Sequence, residues 1–129
     1  MTVTVKQFPG EPIVVQTMSP DYQLQVEFPQ DYPKLYALLD QQPRPVFWVV
    51  DISAIIGLTF EDLLKGTEIV ARGDKALYRH RNIREVLYVS TEKMIKMAAA
   101  GLKADTFGNI KVLVFESLDA ALQYARKQL

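Results

Sequence analysis

The run Pro45-Val46-Phe47-Trp48-Val49-Val50-Asp51-Ile52 constrains this chain more than any other stretch. It is almost unbroken apolar sequence, β-branched and aromatic, and it follows a polar, proline-punctuated segment, Gln41-Gln42-Pro43-Arg44. Alternation would mark a strand with one wet face, whereas a continuous run marks a strand covered on both faces. That geometry belongs to the middle of a parallel sheet packed with helices. Asp51 closes the run where such a strand hands over to a loop. The crevice beyond the carboxyl ends of strands is where open α/β sheets bind ligands.

Two similar runs follow, Val86-Leu87-Tyr88-Val89 and Ile110 to Phe115. Helical patterns separate them. Thr59-Phe60-Glu61-Asp62 fits a capping box, a hydroxyl at the cap and a carboxylate three residues on. It predicts a helix from about 59 to 80, with Phe60, Leu63, Leu64 and Val70 on its face and a break near Gly73. Ser90-Thr91-Glu92 opens another, ending near Gly101, and a loop runs from Lys103 to Asn109. Ser117 caps a last helix with Ala121, Leu122 and Ala125 on one face, and Arg126-Lys127 at the end where the dipole favours cations. Repeated strand–helix alternation after residue 45 is the pattern of a parallel α/β layer.

Ahead of the central run, residues 2–7 alternate, Pro9-Gly10 punctuates a turn, and Ile13 to Met18 pairs back as an antiparallel hairpin. Tyr22 to Phe28 alternates as well and is fenced by Pro20 and Pro29, which predicts an edge strand or extended arm. Asp31-Tyr32-Pro33 then predicts a helix start, with Asp31 as cap and proline in the first turn. The expectation is α/β: one domain over 1–129, with a mixed, mostly parallel sheet.

Charge and composition exclude several functions. Fifteen basic and fifteen acidic side chains cancel, so the basic excess of a dedicated nucleic-acid binder is missing. A zero net charge also favours self-association. Without cysteine and with only His80, thiol chemistry and the usual zinc sites have no ligands, and no cofactor motif is present. Lys65-Gly66-Thr67 lacks the upstream glycine spacing of a phosphate loop. No apolar stretch reaches the roughly 20 residues that span a bilayer, and the start does not resemble a secretory signal. The expectation is a soluble cytoplasmic protein.

The order of elements resembles the SpoIIAA-like fold of STAS domains, the anti-sigma-factor antagonists and cytoplasmic domains of sulphate transporters. The likeness rests on Trp48-Val49-Val50-Asp51-Ile52, on Val86-Leu87-Tyr88-Val89-Ser90, and on Val114-Phe115-Glu116-Ser117-Leu118-Asp119-Ala120-Ala121. It implies a non-enzymatic regulatory module. Antagonists of this family carry Asp-Ser-x-Gly, with a phosphorylated serine, at the start of the helix after the central strand. This chain departs there, having Gly57-Leu58-Thr59-Phe60-Glu61-Asp62. Thr59 and Ser53 are the phosphorylation candidates, against a plain cap and a loop serine.

Two further sets stand out. Arg72, Lys75, Arg79, His80, Arg81 and Arg84 are either a patch for an anionic partner or a solvated helix end complementing the dipole. Trp48, Met94, Met97 and Leu102 are either core or the lining of a ligand or partner groove, methionine being adaptable to varied surfaces. Glu61, Asp62 and Asp51 are read as dipole-complementing acids and a strand end, not as a catalytic cluster. The functional expectation is a module that binds another protein or its own copy as a homodimer. The alternative is a carrier holding a lipid-like or other apolar molecule between sheet and helices, as the likeness of the fold to lipid-binding CRAL-TRIO domains implies.

Overall fold

In the computed structural model, which describes residues 3–71, 76–104 and 109–129, the three apolar runs become neighbouring strands. They are β3 (Val46–Asp51), β4 (Ile83–Val89) and β5 (Val112–Phe115), preceded by β1 (Val3–Gln7) and β2 (Ile13–Met18). The five form one sheet in chain order. Only β1 and β2 pair antiparallel, and β2 to β5 run parallel, so the expected hairpin and mixed sheet are both present.

Strand order and handedness together decide where the helices lie. Each parallel connection steps one place in the same direction, and such crossovers are right-handed. Three steps without a reversal put every crossover helix on one face. α1 (Leu24–Asp40), α2 (Phe60–Ala71) and α3 (Lys93–Leu102) accordingly pack, with a 3-10 turn at Leu77–Arg79, over Val14, Trp48, Val50, Val86 and Tyr88. α4 (Leu118–Lys127) is not a crossover and folds over the other face, against Phe47, Val49 and Leu87. Trp48 and Phe47 are both wholly buried, one on each side, as the unbroken run requires. An order without reversal also lacks a switch-point crevice. Asp51 serves its own loop, its Oδ1 accepting from the Ser53 N–H at 3.1 Å and from the Ser53 hydroxyl.

Tyr22 to Phe28 corrects the sequence reading. It leads into α1, which starts at Leu24, well before Asp31, and carries Pro29 and Pro33 inside it. Period-2 alternation was outweighed by the helical stripe Leu24, Phe28, Leu35 and Leu39, all buried. Both prolines are exposed, so the carbonyls they leave without an N–H, those of Gln25 and Pro29, face the solvent side. The Glu27 carboxylate accepts from the Gln23 N–H at the helix start. Asp31 is not a cap but accepts from the Tyr22 hydroxyl at 2.8 Å. α2 is described as far as Ala71 and residues Leu77–Arg79 form a 3-10 turn, so the expected helix does not run unbroken to 80, and the break expected near Gly73 lies outside the described residues. α3 ends at Leu102, one residue past Gly101, as expected.

Candidate functional site

α2 carries apolar residues along its whole length, yet only Val70 and Ala71, at its end, are buried. Phe60 and Leu64 are 58% and 47% exposed, and Met97 on α3 is 69% exposed. With Leu63, Thr67, Met94, Ala98 and Gly101 they line a groove of about 470 Å³ between α2 and α3. Met94 and Met97 are therefore in the groove, whereas Trp48 and Leu102 are wholly buried in the core and do not line it. The reason is that α3 has two adjacent stripes. Ile95, Ala99 and Leu102 face the sheet, and Met94, Met97, Ala98 and Gly101 face the groove.

Behind α2 lies a second, smaller space of about 50 Å³. Gln16, Met18, Phe28, Val50, Tyr78 and Tyr88 are among the residues around it, as are Leu63, Thr67 and Ala98, which it shares with the groove. Gly66 brings α2 close to α1 here, since a Cβ at that position would lie 3.1 Å from Leu24 Cδ2. Gln16 is 1% exposed. Its Oε1 accepts from Trp48 Nε1 at 3.0 Å, and its Nε2 is the one buried side-chain polar atom without a partner among the described residues. A buried donor left unmet costs roughly 1–3 kcal/mol. Burial raises the Tyr88 hydroxyl to about 12, an effect partly offset by a hydrogen bond from Tyr78. Burial also raises Tyr78 well above its ordinary value, so both phenols are neutral. Nothing in the sequence marked Gln16 beyond its being the one amide in the apolar strand Ile13–Met18.

Of the basic residues expected to form a patch, Arg79 and Arg84 share a hollow and His80 stands apart from them. His80 turns inward, its Nε2 2.7 Å from Asp40 Oδ1, while its Nδ1 accepts the Asn82 N–H at 3.0 Å. That pair of contacts fixes the tautomer with the proton on Nε2. Arg84 lies across the opposite face, its guanidinium 4.7 Å above the Phe47 ring and donating to the Gln128 carbonyl at 3.1 Å. Arg79 and Arg84 both line a hollow with Lys111 and Glu85, Arg81 is exposed, and Arg72 and Lys75 lie outside the described residues. Alternation alone would put residues 80 and 84 on one face, but the register shift at the start of β4, where Ile83 pairs with Val46 and Glu85 with Phe47, leaves Arg84 between the paired positions.

No family model matches the chain, and no curated protein does. Solved structures do. An uncharacterized protein from the DUF3478 family with a SpoIIAA-like fold, from Shewanella loihica PV-4, is similar over 96% of this chain and 92% of its own, with a TM-score of 0.62 at 14% identity. The chain has the SpoIIAA-like fold. An anti-sigma factor antagonist from Mycobacterium paratuberculosis is similar over 97% of this chain and 93% of its own, with a TM-score of 0.53 at 20% identity.

In this SpoIIAA-like fold α2 is the helix after the central strand, so Thr59 stands where the resemblance implies the phosphorylated serine. Its Oγ1 accepts from the Asp62 N–H at 3.1 Å, and Asp62 Oδ2 accepts from the Thr59 N–H at 2.9 Å, completing the expected capping box. Burial works to raise the Asp62 carboxyl, but donors from Gln25 and Thr59 outweigh it and hold that carboxyl below its usual range. A phosphate on Thr59 would displace the cap and face this carboxylate. The Ser53 hydroxyl is committed to Asp51.

Proposed function

We propose that this SpoIIAA-like domain is a non-enzymatic regulatory module of the cytoplasm that binds a protein through the apolar surface around the first turns of α2. One observation carries the reading. Of the six large apolar side chains that stand most exposed among the described residues, Val26, Ile56, Phe60, Leu64 and Met97 surround α2, and only Leu129 lies elsewhere. Scattered singly, exposed apolar residues need no explanation, but gathered at one helix they mark an interaction surface. The partner that fits presents an apolar ridge with an aromatic or aliphatic anchor for the α2–α3 groove. An anti-sigma factor antagonist with the same fold gives a protein-directed precedent. No helix among the described residues is long and apolar enough to cross a membrane, and the reading requires neither metal nor cofactor.

Site-specific photocrosslinking tests this. A benzophenone side chain at Leu64, in cells that express the protein, should yield one discrete protein adduct, or a dimer if the partner is a second copy. The same probe at Gln123, exposed on α4, should yield none. Excess wild-type domain should compete the adduct away, and a Met97→Glu variant should compete at least about tenfold less well. Equal adducts from both positions, or none from Leu64, would sink the proposal.

A further inference from the structure

We propose that the space behind α2 binds the neutral carbonyl head of a single-chain amphiphile, whose apolar chain leaves between α2 and α3 into the groove. This goes beyond the protein-binding reading and is tested without any protein partner. It starts from one amide. Trp48 Nε1–H can only donate, so the Gln16 atom 3.0 Å from it must be the carbonyl oxygen. That fixes the orientation of the amide and leaves Nε2, with two N–H groups, as the remaining polar atom of a residue that lines the cavity. A buried donor of this kind calls for an acceptor.

The lining decides which acceptor. Gln16, Thr67, Tyr78 and Tyr88 are its polar side chains, and among the described residues none around the space is charged. An ionised carboxylate or phosphate would be desolvated there without a counter-charge. A carbonyl brings two lone pairs and no charge. It can take an N–H of Gln16, beside the neutral hydroxyls of Tyr78 and Tyr88 in the lining. About 50 Å³ is room for a head and not for a chain. Among the described residues Leu63, Thr67 and Ala98 border both this space and the 470 Å³ groove, where Met94 and Met97 offer an adaptable apolar wall. Polar head below and apolar chain above is the chemistry of a fatty amide or ester.

The only tryptophan of the chain, Trp48, reports on the site because it is bonded to Gln16. The purified full chain is titrated with decanamide, methyl decanoate, decanoate at pH 8 and decyltrimethylammonium, following Trp48 emission. The amide and the ester should shift it, binding about tenfold or more tightly than either ion. Gln16→Leu should cost the amide and ester about tenfold and leave the ions unchanged, as expected for one lost hydrogen bond to a buried donor. Ala98→Leu, which fills the passage, should weaken the amide and ester in a chain that keeps Gln16. The side-chain amide NMR signals of Gln16 in the wild type should move with decanamide, a reading that holds even if Gln16→Leu does not fold. No binding of the amide or ester up to their solubility limits, with unmoved Gln16 signals, would mean that buried water alone meets the amide. Equal affinity for all four ligands would mean a greasy groove without a head site. Either result overturns the proposal.

Discussion

On the α4 face, Ala121, Leu122 and Ala125 lie buried against Phe47, Val49 and Leu87, and the polar groups at the margins are engaged. Arg126 pairs with Glu11 at 3.0 Å while its guanidinium lies 5.4 Å from the Phe8 ring centroid, and the Tyr124 hydroxyl donates to Glu85 at 2.8 Å. On the opposite face, α2 leaves Phe60 and Leu64 exposed, and Gln16 beneath it has an unmet donor. Both faces are laid over the same five strands. The difference follows from topology: α1, α2 and α3 are placed by crossover geometry, whereas α4 is free to settle where it covers best. Unfinished packing on the crossover side is where surface remains for binding.

Substitution at the finished face should have the largest effect. Phe47→Ala removes a wholly buried ring that touches Tyr124 edge-on, with centroids 6.3 Å apart, and supports Arg84. It should destabilise by about 3–5 kcal/mol in urea unfolding. A loss below about 1 kcal/mol would show that the α4 face tolerates a void, and the contrast between the faces would collapse.

Alkali should discriminate next. Burial raises the phenols of Tyr88, to about 12, and of Tyr78 and Tyr32, all on the crossover side. Tyr22, also there, is raised by burial and by Asp31. The unfolded chain loses these protons near pH 10 while the folded chain keeps them. Above pH 10 the unfolded state therefore binds fewer protons, and stability must fall as pH rises from 10 through 12. The slope is at most about 1.4 kcal/mol per pH unit for each such tyrosine. Urea midpoints at pH 9 and 11 measure it, and Tyr88→Phe should shrink the drop. A drop unchanged in that variant would assign it to other groups.

The two capped helices offer a smaller test. Ser117 Oγ accepts from the Ala120 N–H at 3.1 Å, as Thr59 Oγ1 does from Asp62. Ser117→Ala and Thr59→Ala should each cost about 1 kcal/mol. A cost near zero at Thr59 alone would mean that the first turn of α2 frays, making its apolar surface mobile and not preformed.

What the sequence made legible follows the kind of signal. β3 announces itself because a strand buried on both faces excludes polar residues, and β4 and β5 show through their apolar runs Val86–Val89 and Val112–Phe115. The caps at Thr59 and Ser117 are equally plain because a cap is a local hydrogen bond. The start of α1 was hidden by Pro20, Pro29 and Pro33, whose cost depends on whether the freed carbonyls reach water. The groove was half visible. Met94 and Met97 belong to it, but Phe60 and Leu64 read only as part of a helix face, and of the residues read as core or lining, Trp48 on β3 and Leu102 on α3 are core. Gln16 could not be found at all, since an unmet donor is defined by partners that only the fold brings near.

Phe60→Ala should have the smallest effect on stability and sharpens the comparison most. The ring is more than half exposed, and its helix buries little near it. Its loss should change stability by no more than about 0.5 kcal/mol, the usual range for surface positions. The same substitution removes an aromatic wall of the groove, so the Leu64 photocrosslink should fade while the urea midpoint stays in place. At Phe47 the reverse holds, since that ring is remote from the groove and its loss acts through unfolding. Two phenylalanines with opposite profiles would show that one face stabilises the sheet and the other keeps its apolar side chains for a partner. If Phe60→Ala instead costs several kcal/mol, that ring is core in solution, α2 is closed against α3, and the proposed docking surface does not exist.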